Sequence, residues 1–228
     1  TCEIIGYTST PSIVNGGFDQ NFYNFTWNCS GQTSQANLAG KLQNIAGNFT
    51  VQNTGSTNLR MIGGATTVTV GGDLIVGVNG ILNTSETNSA CTINVSGDVS
   101  IDGNLTELST GTGSGVITFV GSGQSLYVGP AGSITNTVNF VINNNSTVDV
   151  LSNVTMPNDL TLTSGNFVLG TNDLTVTNNI IGGSPSSYVK TNSTGSLNRS
   201  VSSATNFPVG NGQYNPVKLT TTSSSQLG

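Results

Sequence analysis

The chain has 228 residues, 34% of them hydrophobic and only 7% charged, with ten acids, five bases and no histidine. Disorder at this polarity calls for high net charge or many prolines, and a formal net charge of −5 with six prolines supplies neither. The bases are Lys41, Arg60, Lys190, Arg199 and Lys218, so Met61 to Val189 holds none, which argues against nucleic acid and a membrane surface as partners.

Residues 1–40 come first and show no period. They carry the aromatic cluster Phe18, Phe22, Tyr23, Phe25 and Trp27, expected to cap one end of a repetitive structure; an aromatic platform for sugar is the functional alternative. Cys2 and Cys29 bracket the segment. In an oxidising compartment a disulfide between them is expected to fasten the cap, against the simpler reading of three buried thiols with Cys91 filling core.

Residues 41–182 repeat. Apolar, variable, apolar triplets recur at Phe49-Thr50-Val51, Leu74-Ile75-Val76, Val99-Ser100-Ile101, Leu126-Tyr127-Val128, Val148-Asp149-Val150 and Phe167-Val168-Leu169, in steps of 25, 25, 27, 22 and 19. A further short strand precedes each of the later five, at Thr67, Thr92, Ile117, Asn139 and Leu160, and another follows each, from Leu59, Ile81, Leu105, Ile134, Val154 and Leu174. Gly, Asn, Ser and Asp separate them, residues that favour tight turns. Three short strands per repeat predict a right-handed parallel β-helix of about six coils, each stacked about 4.8 Å above the last. The first and third residues of every triplet then face inward and the middle one outward. An antiparallel sandwich also alternates, but it does not explain three strands per repeat.

Residues 183–228 contain Phe207-Pro208-Val209-Gly210 and Tyr214-Asn215-Pro216-Val217 and are expected to form a C-terminal β extension or to open a following β-sandwich. With Thr1-Cys2-Glu3 at one end and Leu227-Gly228 at the other, the chain is expected to be a segment of a longer protein. No apolar run approaches the roughly 20 residues of a membrane-spanning helix.

Together the run from Asp159 to Gly170, the run Tyr188-Val-Lys-Thr-Asn-Ser-Thr-Gly-Ser-Leu-Asn-Arg-Ser-Val and the two Pro motifs just quoted resemble large secreted surface proteins of Bacteroidota. In that family β-helical repeats precede β-sandwich modules and a C-terminal sorting domain for type IX secretion, and gliding adhesins are among its members. The resemblance implies an extracellular, cell-surface location and a structural or adhesive role, and it supplies no catalytic residue. Its implied partners are other surface modules, copies of the chain end to end, or surface polysaccharide.

Parallel β-helices also carry polysaccharide-degrading enzymes, which makes such an enzyme the alternative function. The candidate carboxylates are Asp98, Asp102 and Glu107, then Asp149, Asp159 and Asp173, and a hydrolase needs two that share one site. Asp73 and Asp98 sit just before second strands, where Asp serves a turn. With no histidine and no base along the repeats, catalysis is not expected. No cofactor is expected; Asp98, Asp102 and Glu107 are the candidates for a structural calcium, which takes about six to eight oxygens. Eleven Asn-x-Ser/Thr sequons occur, among them Asn24, Asn28, Asn48, Asn83, Asn94, Asn104, Asn153 and Asn192. A chain this rich in Asn, Ser and Thr yields about as many by chance; in a source that glycosylates Asn they would mark a glycosylated filament subunit.

Overall fold

The computed structural model describes residues 1–9, 17–61, 65–86, 89–107, 113–201 and 203–220. Among them all regular structure is β. The inner turns of the chain give a short strand to each of three parallel sheets, and about eight turns stack into a right-handed parallel β-helix.

The second sheet is the longest ladder. Cys2–Ile5, Phe25–Asn28, Phe49–Asn53, Leu74–Asn79, Val99–Ile101 and Gln124–Val128 pair in succession, and the ladder continues through the ends of Asn139–Val150 and Leu160–Val168 to Val189–Lys190 and Val209–Gly210. The first sheet runs from Asn44–Ile45 through Thr66–Val70, Ser89–Val95 and Val116–Phe119 into the starts of those same two long strands, then to Ile180–Gly182. The third sheet is interrupted. Ala36–Asn37, Leu59–Arg60, Ile81–Asn83, Asn104–Thr106 and Ser133–Ile134 form one stack, and Val154–Met156, Leu174–Val176 and Leu197–Asn198 another.

Inward positions follow from the alternation of side chains along a strand. In the second sheet Phe49, Leu74, Val99, Leu126, Val148 and Phe167 are fully buried, as are Val51, Val76, Ile101 and Leu169. Between them Thr50, Ile75, Ser100, Tyr127 and Val168 are half-buried and Asp149 is exposed. Val128 is only half-buried, and the pairing of its strand with the next turn ends at Leu126 and Val150. Burying each large apolar side chain contributes about 1.5–3 kcal/mol, so the inner ladders hold the helix together.

The structure corrects three expectations. The helix is longer at both ends than residues 41–182. Cys2–Ile5, Phe25–Asn28 and Ala36–Asn37 are rungs, not a separate cap, and Val189–Lys190 and Val209–Gly210 continue the ladder at the other end. At the start, aromatic residues stand where later turns have Val or Leu, and this conceals the period. The register also differs at one step: the expected ladder sets Leu126 beside Val148, whereas Leu126 pairs with Val150 and Gln124 pairs with Val148. A shift of two residues leaves the same face inward, so the hydrophobic pattern cannot tell the two registers apart.

What fixes that register is polar. Gln124, 1% exposed, lies at the corner between the first and second sheets. Its Nε2 donates to the carbonyls of Val95 at 2.9 Å and Gly97 at 2.6 Å, while its Oε1 accepts from Gly121 N at 2.7 Å and Asn144 Nδ2 at 3.1 Å. Turn length changes at the same place. Equivalent residues recur every 25 positions at Asn48, Asp73 and Asp98, but every 20 at Asn153 and Asp173 or Asp159 and Asn179.

Both ends are closed by local devices. At the N-terminal end Phe22 and Phe18 pack edge-on against Phe25, with centroids 5.2 and 5.9 Å away, and Phe25 meets Phe49 at 6.0 Å. Trp27 packs against Tyr7 with ring centroids 5.4 Å apart and planes tilted by 58°, and gives its indole N–H to buried Gln32. At the other end the chain reverses: Gly210 bridges Tyr214 antiparallel, and Thr205–Phe207 pairs antiparallel with Val217–Leu219. This reversal occupies the edge that another parallel turn would need.

Candidate functional site

The carboxylates are distributed along the helix by the turns that carry them. Asn24, Asn48, Asp73 and Asp98 occupy one position, just before the second strand of successive turns. Each side chain reaches one turn along the axis: Asn24 Oδ1 accepts Asn48 N–H at 2.8 Å, Asn48 accepts Asp73 at 2.9 Å, Asp73 accepts Asp98 at 2.8 Å and Asp98 accepts Ser125 at 2.7 Å. Two shorter staircases follow the same rule. Asn139 Oδ1 takes Asp159 N–H and Asp159 takes Asn179; Asn153 takes Asp173 and Asp173 takes Ser196. Each such bond gives a backbone amide at a corner the partner that the ended strand no longer supplies.

The expected acidic groups are therefore not assembled. Asp98 precedes the second strand of its turn, Asp102 follows that strand and Glu107 follows the third, so they stand at different corners. Asp149 lies alone on the outer face of the second sheet, and Asp159 and Asp173 belong to separate staircases. Among the described residues no three His, Cys, Asp or Glu side chains come together as a metal would require. Glu107 is the buried member at 2% exposure: its Oε1 accepts Thr137 N–H at 2.9 Å and its Oε2 has no hydrogen-bond partner.

The cysteines are all free. Cys2 pairs in register with Phe25, and Cys29 lies four residues beyond it, which is about 13 Å of extended strand. A disulfide needs Cα atoms within about 7 Å, so the expected Cys2–Cys29 bond is not formed. Cys29 instead gives its thiol to the Ile4 carbonyl at 3.4 Å. Burial raises the pKa of Cys29, against backbone hydrogen bonds that lower it, and pushes Cys91 up to about 12. Neither thiol is activated as a nucleophile.

Of the sequon asparagines, Asn153 and Asn192 are exposed, Asn24, Asn28, Asn48, Asn94 and Asn104 half-buried, and Asn83 is buried at 3% exposure with its Oδ1 on Ser85 N–H. Three surface hollows are described. One of about 350 Å³ lies beside Phe22 and Ile45, one of about 310 Å³ along Gly55, Gly80 and Gly103, and one of about 280 Å³ at the C-terminal end under Leu197, Phe207 and Val217. No charged side chain lines any of the three. At the C-terminal end Arg199 lies 5.8 Å from the Phe207 ring centroid and donates to the Asn178 and Asn206 carbonyls. Burial lowers its pKa and Asp159 opposes that shift.

The staircases were only half visible in the sequence. The place of Asp73 and Asp98 before second strands marks them as turn residues, but the sequence alone does not join Asn24, Asn48, Asn139 and Asn153 to them. The shared signal is an Asn or Asp directly before Phe25, Phe49, Leu74, Val99, Phe140, Val154, Leu160 or Leu174. No family model, no curated protein and no solved structure matches this chain.

Proposed function

We propose that the chain is an extracellular structural or adhesive module, the stalk of a cell-surface adhesin or a subunit of a surface filament, without catalysis. One observation carries this reading: Asp73, Asp98, Asp159 and Asp173 each spend a carboxylate oxygen on the backbone of the next turn. Carboxylates engaged in this way hold adjacent turns together, which is a structural role. About eight turns at about 4.8 Å give a rod near 38 Å long, a shape suited to a spacer. The apolar hollow at the C-terminal end suits contact with a further module, and the resemblance to Bacteroidota surface proteins supports the location.

The test pairs chemistry with location. The purified chain is incubated with a panel of neutral and acidic polysaccharides while reducing ends are counted, and intact source cells are labelled with antibody to the chain. No release of reducing ends and strong labelling of unpermeabilised cells are expected. Release of reducing ends from any polymer, or labelling only after permeabilisation, overturns the proposal.

A further inference from the structure

The reversal that closes the C-terminal end turns at Asn211 and Gly212. The chain comes back so that Gly210 bridges Tyr214 antiparallel, Asn215 N–H donates to the Val209 carbonyl at 2.9 Å, and the Tyr214 ring lies 5.9 Å from that of Tyr188. Asn211 and Gly212 themselves are exposed and belong to no strand. Gly212 has a φ of 86°, and a Cβ built on it would meet no atom within 4 Å. Its amide donates no hydrogen bond to any described residue.

Asn-Gly occurs three times in the chain, at Asn15-Gly16, Asn79-Gly80 and Asn211-Gly212, and the first lies outside the described residues. The other two differ at the glycine. Asn79 is exposed like Asn211, but Gly80 is buried and its amide donates to the Gly77 carbonyl at 2.7 Å. Asn79 also ends the strand Leu74–Asn79 in register with Asn53, and its carbonyl accepts Thr54 N–H at 3.0 Å. The related pair Asp102-Gly103 is tied in the same way, with Gly103 N–H on the Val76 carbonyl at 3.1 Å.

An asparagine carboxamide is open to attack by the backbone nitrogen of the next residue, and glycine presents that nitrogen with no side chain in the way. A nitrogen already held by a hydrogen bond inside a paired segment reacts only when the segment opens. We propose that Asn211 is a site of spontaneous deamidation, while the fold protects Asn79. Gly212 N bonds to Asn211 Cγ and passes its proton to water, the Cγ–Nδ2 bond breaks, and ammonia leaves carrying a proton back. The succinimide ring then takes up water. Opening at one carbonyl gives aspartate, and opening at the other gives isoaspartate, whose main chain runs through Cβ and Cγ.

Either product puts a carboxylate where residues 183–220 otherwise have Lys190, Arg199 and Lys218 as their only charged side chains. Isoaspartate also lengthens, by one backbone atom, the loop that the Asn215 bond and the Tyr214 ring close, so the cover on the last parallel edge weakens with age. The inference goes beyond the stalk reading and does not depend on it.

The full chain, folded or in urea, is kept in mildly alkaline buffer, sampled over weeks and digested with pepsin in acid. Mass spectrometry follows the conversion of Asn to Asp or isoaspartate in the peptides that carry Asn79 and Asn211, and circular dichroism verifies that the folded sample stays folded. In the folded chain Asn211 is expected to convert at least about tenfold faster than Asn79, and in urea the two rates are expected to agree within about threefold. An unchanged Asn211 in folded chain whose urea counterpart has converted, an Asn79 that keeps pace with it, or an Asn79 equally slow in urea overturns the proposal.

Discussion

The carboxylate of Asp73 accepts the backbone N–H of Asp98 at 2.8 Å, one full turn farther along the axis, and Asp98 repeats the contact with Ser125 at 2.7 Å. A side chain here performs what a sheet hydrogen bond performs elsewhere, at a corner where the strands have ended. Asn48 does the same with an amide oxygen, so the role needs the oxygen and not the charge.

Replacing Asp98 by Ala is expected to lower stability by about 1 kcal/mol, because the Ser125 amide loses its partner at an exposed corner. Asp98→Asn is expected to stay within about 0.5 kcal/mol of the parent. Urea denaturation of the three proteins checks this, and equal losses from Ala and Asn would show that charge is what matters.

Gln124 makes four hydrogen bonds inside the corner that sets the Leu126 to Val150 register. Gln124→Ala leaves the Val95 and Gly97 carbonyls and the Gly121 amide without it, at about 1–3 kcal/mol for a buried group left unsatisfied. The loss should exceed that of Tyr127→Ala, whose side chain faces outward. Denaturant midpoints of the two variants decide the order.

Gly103 has no positive φ, yet a Cβ there would collide with the carbonyl oxygens of Gly77 and Gly80. Gly103→Ala is therefore expected to destabilise by about 1–3 kcal/mol through overpacking. Gly123→Ala meets no atom but adopts φ 61°, and its smaller loss comes from backbone strain alone. Thermal unfolding that ranks these two the other way would refute the crowding argument.

Burial pushes the Cys91 thiol from 9.0 up to about 12. The unfolded chain then releases this proton first, so the stability it protects is complete below about pH 9 and declines as pH rises toward 12, by about 1.4 kcal/mol per unit. Cys91→Ala should be less stable at neutral pH and show a shallower decline above pH 9. Stability curves from pH 7 to 11 for both proteins test the difference.

The sugar-acceptor candidates separate by access. Expressed in a host that modifies Asn-x-Ser/Thr, the chain is expected to carry glycan at Asn192 and Asn153 and none at Asn83, which is buried. At Asn153 the attached nitrogen leaves Oδ1 free to keep its bond to Asp173. Peptide mass mapping settles it, and glycan on Asn83 would mean that the corner opens.

The central ladders are legible because Phe49, Leu74 and Val99 recur at equal steps, each with a second apolar residue two positions on. The outer turns were not, since Phe25, Trp27 and Val189 keep the alternation but change residue type and spacing. Leu126 could be placed on the correct face but not beside the correct partner, because Val148 and Val150 are both apolar and face the same way. The Cys2–Cys29 pairing fails for a related reason: the two cysteines bracket a segment without a visible period, which suggests a clasp, while the first turn sets Cys2 beside Phe25, four positions before Cys29. Glu107 showed nothing in sequence to mark it as buried.

The change of repeat at Gln124, where one stack of third strands stops and another begins, bears on how the rod behaves under tension. Each turn adds only about 4.8 Å to the folded length but stores about 85 Å of contour when 25 residues are drawn out, and about 68 Å when 20 are. Pulled from its two ends, the molecule should lengthen in two sizes of step, larger from the N-terminal side and smaller from the C-terminal side. Single-molecule force spectroscopy would read those steps directly, and a single uniform size would contradict the division. A β-helix built this way would release its length in two grades, with the change placed partway along the axis.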